Sequence, residues 1–144
     1  MLPGPAVLAF APEGCSHWIS VSLPRMTPSN NEIKGMHHFV YRKVRKAWRE
    51  LVAQAVPACV LGAGLKRSWL VIERHSSGSL DWDNAYGGLK PLLDCLVMPT
   101  PRNPDGLGLL ENDGVLNIPH PPLLLQHQVK RKDQKTIIHF FQLQ

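Results

Sequence analysis

Residues 69–74 read Trp-Leu-Val-Ile-Glu-Arg, and residues 81–94 read Asp-Trp-Asp-Asn-Ala-Tyr-Gly-Gly-Leu-Lys-Pro-Leu-Leu-Asp. The first run is short and apolar, so it predicts a mostly buried strand. The second run begins with Asp81 and Asp83, and residues two apart on a strand point to the same face. The polar segment between the runs leaves open whether the two aspartates continue the strand or lie in a loop.

The flanking sequence predicts further elements on either side of these runs. Alternation predicts one strand before them and two strands after them, and apolar residues at intervals of three and four predict two helices. Pro91 fits only the first turn of the second helix. The predicted strands are His17–Leu23, Trp69–Arg74, Leu123–Val129 and Thr136–Leu143, the last two joined by a basic hairpin at 130–135, and the predicted helices are Met36–Val56 and Leu89–Val97.

These elements predict an α+β fold. We expect a single domain with a mixed β-sheet of about 4–6 strands and two main α-helices packed on it. The chain has 144 residues, of which 44% are apolar and 19% charged, which is enough for one domain with a core. Met1–Phe10 is apolar, contains proline and glycine and lacks a basic leader region, so a disordered extension is expected at residues 1–14 and the domain at 15–144.

Cysteine use and hydropathy indicate the compartment. The three cysteines, Cys15, Cys59 and Cys95, are odd in number and form no Cys-x-x-Cys pair. Neither a disulfide framework nor a zinc knuckle is supported, so the sequence predicts a cytoplasmic protein. No apolar run approaches the length of a membrane span, so no membrane partner is expected.

Charge is distributed unevenly along the chain. The net charge is +5, yet residues 80–113 hold six of the eleven acids and only two basic residues, which gives −4 inside a chain that is otherwise +9. This distribution favours a protein that attracts a polyanion and neutralises a small acidic pocket with metal. DNA or RNA is the expected polyanion.

The acidic segment contains a candidate metal site. Asp81 and Asp83 repel each other unless a cation lies between them, and Asp113 follows a second apolar segment. Three carboxylates suit Mg²⁺, with Mn²⁺ as an alternative. Asn84 either orients a ligand or caps the next turn.

Lys90 and Asp94 lie one helical turn apart in the predicted second helix. Either they form a surface ion pair, or Asp94 orients Lys90 toward the metal site.

Basic residues in four places are candidate phosphate contacts. They lie in the loop after the first strand, along one face of helix 36–56, before the strand at 69–74 and in the connection 130–135. A plain loop, a solvated helix face and an ordinary polar turn are the alternatives. The candidates are Arg25, Arg42, Lys43, Arg45, Lys46, Arg49, Lys66, Arg67, Lys130, Arg131 and Lys132.

The motif Asp81-x-Asp83-Asn84, followed by Lys90, Asp94-x-Leu96 and Asn112-Asp113, resembles the RusA family of Holliday junction resolvases. It is more similar to the phage and prophage variant, in which Gly-Gly-Leu-Lys-Pro-Leu-Leu-Asp follows the acidic pair. The resemblance covers residues 66–118, and a weaker one covers Thr27–Trp48.

The resemblance implies a homodimeric, magnesium-dependent endonuclease, bacterial or phage-encoded, that resolves four-way DNA junctions by paired symmetric nicks in recombination and repair. It implies that Asp81, Asp83 and Asp113 bind metal and take part in catalysis, and that Lys90 is the catalytic lysine. Asn84, Asp94 and Asn112 would support them. The commonest family pattern places the lysine four residues after the second aspartate, whereas here it is seven, and the family's final Asp-Asp is Asn112-Asp113.

Two other functions account for the acidic residues. One is a non-catalytic basic module that binds nucleic acid, in which the aspartates cap turns and pair with arginines. The other is a metal-dependent phosphohydrolase that acts on nucleotides. The first does not explain why the acids cluster in one segment.

Overall fold

The computed structural model describes residues 2–144. Four strands form one sheet in the order β1-β4-β2-β3, with β4 antiparallel to β1 and β2, and with β3 parallel to β2. The sheet is therefore mixed, and the prediction of an α+β fold in a single domain is confirmed. The strands are β1 (Cys15–Leu23), β2 (Ser68–Ser76), β3 (Leu123–Gln128) and β4 (Lys135–Leu143).

Five α-helices accompany the sheet in the described residues, with short 3₁₀ turns at Ala58–Val60 and Arg131–Asp133. None of these helices combines the length and the apolar character that crossing a membrane requires. The two main helices match the two that the sequence predicts, and each is shorter at its ends. The helices are α1 (Pro5–Leu8), α2 (Asn30–Ile33), α3 (His38–Ala55), α4 (Trp82–Gly87) and α5 (Lys90–Leu96).

The predicted hairpin between the last two strands is wrong. β3 and β4 are not neighbours, because β2 lies between them. β4 buries Ile138 and Phe140 on one face and Phe141 on the other, so a central position suits it. The basic connection 129–134 therefore crosses the end of β2 instead of closing a hairpin.

One face of the sheet carries the main core. Trp48 and Val52 from α3 and Leu92 from α5 pack with Ile72 and Phe140 of the central strands. All five side chains are at most 2% exposed. The helical layer is thus fixed on the sheet by the periodic apolar positions of α3 and α5.

The opposite face carries a smaller apolar cluster at one end. Val7 of α1 packs there with Trp69, Val71, Phe141 and Leu143. The structure therefore differs from the expected disordered extension at residues 5–8, because this end of the sheet needs an apolar cover. Met1, which the same prediction included, lies outside the described residues.

The junction between α4 and α5 is held against the loop that precedes α2. A Cβ on Gly88 would meet the carbonyl oxygen of Pro28 at 1.7 Å, and one on Gly87 would meet the Asn30 side chain at 2.6 Å. Ser29 and Glu32 form a reciprocal capping box that shapes this loop. The glycine pair therefore lets backbone approach backbone beside the acidic segment.

Candidate metal and nucleic-acid site

The acidic pair lies at the start of α4, which settles the alternative of strand or loop. Asp81 is the N-cap residue with an extended backbone, Asp83 lies in the first turn, and both are exposed. The Asn84 amide donates to Asp81 Oδ1 at 2.9 Å. That hydrogen bond, together with hydrogen-bonding contact with the Asp83 carboxyl, holds the pKa of Asp81 below its ordinary value. Both carboxyl groups thus belong to the start of the same helix.

Asp81 does not serve the helix in the usual way. An aspartate at the N-cap normally accepts a hydrogen bond from a backbone N–H of the first turn. Here the Asp81 side chain makes no such bond and turns to Asn84 instead. Neither Asp81 nor Asp83 forms an ion pair with any residue from 2 to 144. Their negative charge is therefore available to a ligand.

Lys90 belongs to a small polar chain at the start of α5. Its Nζ lies 3.4 Å from each carboxylate oxygen of Asp94. The Tyr41 hydroxyl on α3 donates to Asp94 Oδ2 at 2.6 Å, and burial and this bond raise the pKa of Tyr41. The Lys90 side chain is 64% exposed and that of Asp94 only 16% exposed. Asp94 is therefore fixed by the fold and orients a solvent-facing lysine.

Asp113 and Asn112 lie in an exposed loop. The backbone N–H of Asp113 donates to the Asn112 side chain at 2.8 Å. The loop is tied to the start of β2, because Asn117 Nδ2 donates to Lys66 O at 2.7 Å and Ser68 N–H donates to Asn117 O at 2.8 Å. Asn112 therefore shapes the backbone of the third acid.

The structure places the first two acids at the start of one helix and the third in a different loop. Leu80, which precedes the pair, bonds to Gln126 on β3, and Gln126 is paired with Arg74 near the end of β2. The loop of Asp113, in contrast, is tied to the start of β2. Asp81, Asp83 and Asp113 do not form a group with ligand atoms all within 4.8 Å of one another. A site made by all three stays a prediction.

Several predicted phosphate contacts line one groove. Arg25, Arg131 and Lys132 surround a groove of about 510 Å³ floored by Val44 and Trp48. Lys130 is exposed next to it. The loop after β1 and the connection before β4 thus form a continuous basic surface, which neither segment would form alone.

The basic face of α3 needs one correction. Arg45 is buried at 6% exposure, and its Nε donates to Asp105 Oδ2 at 2.9 Å. Val40, one of the apolar residues at intervals of three and four that predict this helix and are expected to face the core, is instead 49% exposed. The buried face of α3 therefore includes Arg45, which neutralises the acid of the loop after α5.

The other predicted contacts on α3 lie outside the core. Arg42, Lys43 and Lys46 are exposed, and Arg49 is half-buried and pairs with Glu50 at 3.0 Å. Lys66 and Arg67 are exposed before β2, where Arg67 donates to the backbone carbonyl of Gln144. The positive charges of these residues therefore lie at the surface, where a polyanion can reach them.

Sequence reasoning missed two sets of polar residues. Tyr41 was not predicted to hold Asp94, since the contact joins two helices 53 residues apart. Glu73, His75 and His127 each offer a ligand atom within 4.8 Å of the others. The signal for the first two was their spacing of two on a strand, but His127 reaches them only through the register of β3.

Comparison with known protein families and curated proteins identifies no relative of this chain. No protein-family model matches the chain, and no curated protein matches it.

Proposed function

We propose that this chain is a divalent-metal-dependent endonuclease that resolves four-way DNA junctions by paired nicks, in the manner of the resolvase family that it resembles. The observation that carries the proposal is that Asp81 and Asp83 both lie at the exposed start of α4 and that neither forms an ion pair with any residue from 2 to 144. Like charges held together without an ion pair are stabilised by a cation. The proposed physiological setting is DNA recombination and repair in the bacterial cytoplasm.

The donor atoms at the pair fit Mg²⁺, with Mn²⁺ as an alternative. Both ions take carboxylate oxygens, and Mg²⁺ keeps several of its waters. Asp81 and Asp83 are both exposed, so water has access to any ion that they hold. Asp113 is proposed as the third acid. Bound Mg²⁺ would activate a water and stabilise the leaving oxygen of a phosphodiester.

The chain's own residues have separate proposed tasks. Lys90 supplies a positive charge to the phosphate as negative charge develops in the transition state. Asp94 and Tyr41 are positioning residues, because they hold the lysine through contacts of 3.4 and 2.6 Å. Asn84 orients the Asp81 carboxylate.

Binding of the polyanion is assigned to the basic groove and the exposed face of α3. Arg25, Arg131 and Lys132 line the groove, and Arg42 and Lys43 line a second cleft of about 370 Å³. Each phosphate neutralised by such a side chain releases counterions and strengthens binding.

A homodimer completes the proposal. A four-way junction presents two equivalent strands about a twofold axis, so a C2 dimer places one active site on each. Light scattering coupled to size-exclusion chromatography measures this state directly, and a monomer at assay concentration would contradict paired symmetric nicking.

The test compares cleavage of a synthetic four-way junction, a linear duplex and a single strand, with Mg²⁺ and after chelation by EDTA. We expect symmetric nicks in the junction only, abolished by EDTA and by Asp83→Asn. Glu13→Gln is the matched control, because it also replaces one exposed carboxylate by an amide of nearly the same shape. It should cleave as the wild type does.

The same assay separates the alternatives. A protein that binds the junction but does not cleave it with either metal ion is a binding module. Hydrolysis of nucleotides without nicking would indicate a phosphohydrolase. Equal cleavage by the wild type and Asp83→Asn would refute the proposed active site.

A further inference from the structure

A cluster of two histidines and one glutamate lies on the sheet face opposite α3 and α5. Glu73 and His75 are two apart on β2, so they share a face. His127 on β3 pairs directly with His75 in the parallel register. Neighbouring strands lie about 4.8 Å apart, so the three side chains project side by side. One ligand atom from each lies within 4.8 Å of the others.

Glu73 is held in place by a chain of hydrogen bonds. The Ser20 hydroxyl lies 2.6 Å from His139 Nδ1, and His139 Nε2 lies 2.6 Å from Glu73 Oε2. If Nδ1 accepts the serine hydrogen, Nε2 carries the ring proton and donates it to Glu73. His139 is 1% exposed. The glutamate carboxylate is therefore oriented by a buried imidazole, as carboxylates at metal sites commonly are.

The second oxygen of Glu73 and the two remaining imidazoles face one another. Glu73 Oε1 lies 2.8 Å from His127 Nε2. The rings of His75 and His127 stack with centroids 4.5 Å apart. His75 Nε2 is buried and has no hydrogen-bond partner among the described residues. A buried imidazole nitrogen left without a partner is costly, and a bond to a cation would satisfy it.

We propose that Glu73, His75 and His127 bind Zn²⁺. Two imidazoles and one carboxylate form a donor set typical of zinc, whereas Mg²⁺ prefers oxygen alone. The His127 side chain is 41% exposed, so a water completes the coordination. The site is separate from Asp81 and Asp83 and does not depend on the proposed nuclease activity.

The geometry requires only small side-chain movements. Zinc ligands at about 2.0–2.1 Å in a tetrahedron lie about 3.3 Å apart. On binding, the distance between Glu73 Oε1 and His127 Nε2 increases slightly from 2.8 Å. The ligand atom of His75, which lies within 4.8 Å of the other two, moves closer to them. The ion then links the central strand β2 to the edge strand β3, which stabilises the folded chain by mass action.

The test measures binding of Zn²⁺ to the metal-free protein by isothermal titration calorimetry, together with the melting temperature. Wild type should bind one Zn²⁺ per chain and melt at a higher temperature with Zn²⁺ than without it, and Mg²⁺ should not compete. His127→Ala should weaken binding by more than about 100-fold, since it removes a direct ligand. Because His127 is exposed, the His127→Ala variant should fold as the wild type does, and circular dichroism measures this.

His38→Ala is the matched control, because it removes an exposed histidine elsewhere. It should bind Zn²⁺ as the wild type does. Substitution of Co²⁺ for Zn²⁺ gives a second readout. The visible spectrum should show four-coordinate Co²⁺ without thiolate-to-metal charge-transfer bands, which excludes the cysteines as ligands. No Zn²⁺ binding by the wild type, equal affinity in His127→Ala, or equal weakening in His38→Ala would each overturn the proposal.

Discussion

Substitution of Gly88 by alanine should destabilise the protein through one backbone contact. The added Cβ would lie 1.7 Å from Pro28 O and 2.7 Å from Pro28 C, where real contacts begin near 3.0 Å. The loop must therefore move by at least about 1.3 Å. It cannot do so freely, because Thr27 is fully buried and its carbonyl accepts from Arg74 Nε at 2.9 Å.

The expected change in the free energy of unfolding combines two destabilising contributions and one stabilising contribution. Overpacking of this kind costs about 1–3 kcal/mol, and distortion of the capping box of Ser29 costs about 1 kcal/mol more. Alanine returns about 0.4–1 kcal/mol by restricting the unfolded chain. The net loss is about 1–3.5 kcal/mol, which lowers the melting temperature by roughly 3–12 °C in a domain of this size.

The assay is urea denaturation followed by tryptophan fluorescence, with Gly78→Ala as the control. A Cβ on Gly78 meets nothing within 4 Å, and its backbone conformation is not left-handed. We expect its stability to lie within about 0.5 kcal/mol of the wild type. Equal stability of Gly88→Ala and Gly78→Ala would refute the close approach of α4 to the loop before α2.

Three further predictions concern ion pairing, thiol reactivity and DNA affinity. Asp105→Ala leaves Arg45 buried without its partner and should cost about 3 kcal/mol in urea denaturation, whereas an unchanged midpoint would show that the pair is not buried. Burial raises the pKa of Cys95 to about 12, so a thiol reagent at pH 8 should modify exposed Cys59 at once and Cys95 only after unfolding; rapid modification of Cys95 in the native protein would contradict this. Lys132→Ala should reduce the slope of log binding constant against log salt by about 1 for junction DNA, and an unchanged slope would remove this residue from the contact surface.

The elements of the fold were predictable from local pattern. The alternation at β1, the apolar run of β2 and the three- and four-residue intervals of α3 and α5 all produced elements close to those observed. The pairing of β3 with β2 was not predictable, because β3 is followed directly by β4 in the chain and a hairpin is the shorter connection. Local pattern carries no information on which edge of the sheet remains free.

The candidate site was also predictable only in part, because local pattern reports neighbours in sequence and not contacts between distant segments. Asp81 and Asp83 are close in sequence, so their shared position at the start of α4 follows from the local pattern. Buried Arg45 on α3 pairs with Asp105, which lies 60 residues later, and no periodicity in the helix reports that partner.

The sequence by itself determined the elements, the acidic segment and the cationic surroundings, since these depend on neighbours within a few turns. Only the tertiary structure decided that Glu73, His75 and His127 meet, and that the loop of Asp113 is anchored to the start of β2. Strand register and loop anchoring set those distances, and both result from packing between segments that are remote in the chain.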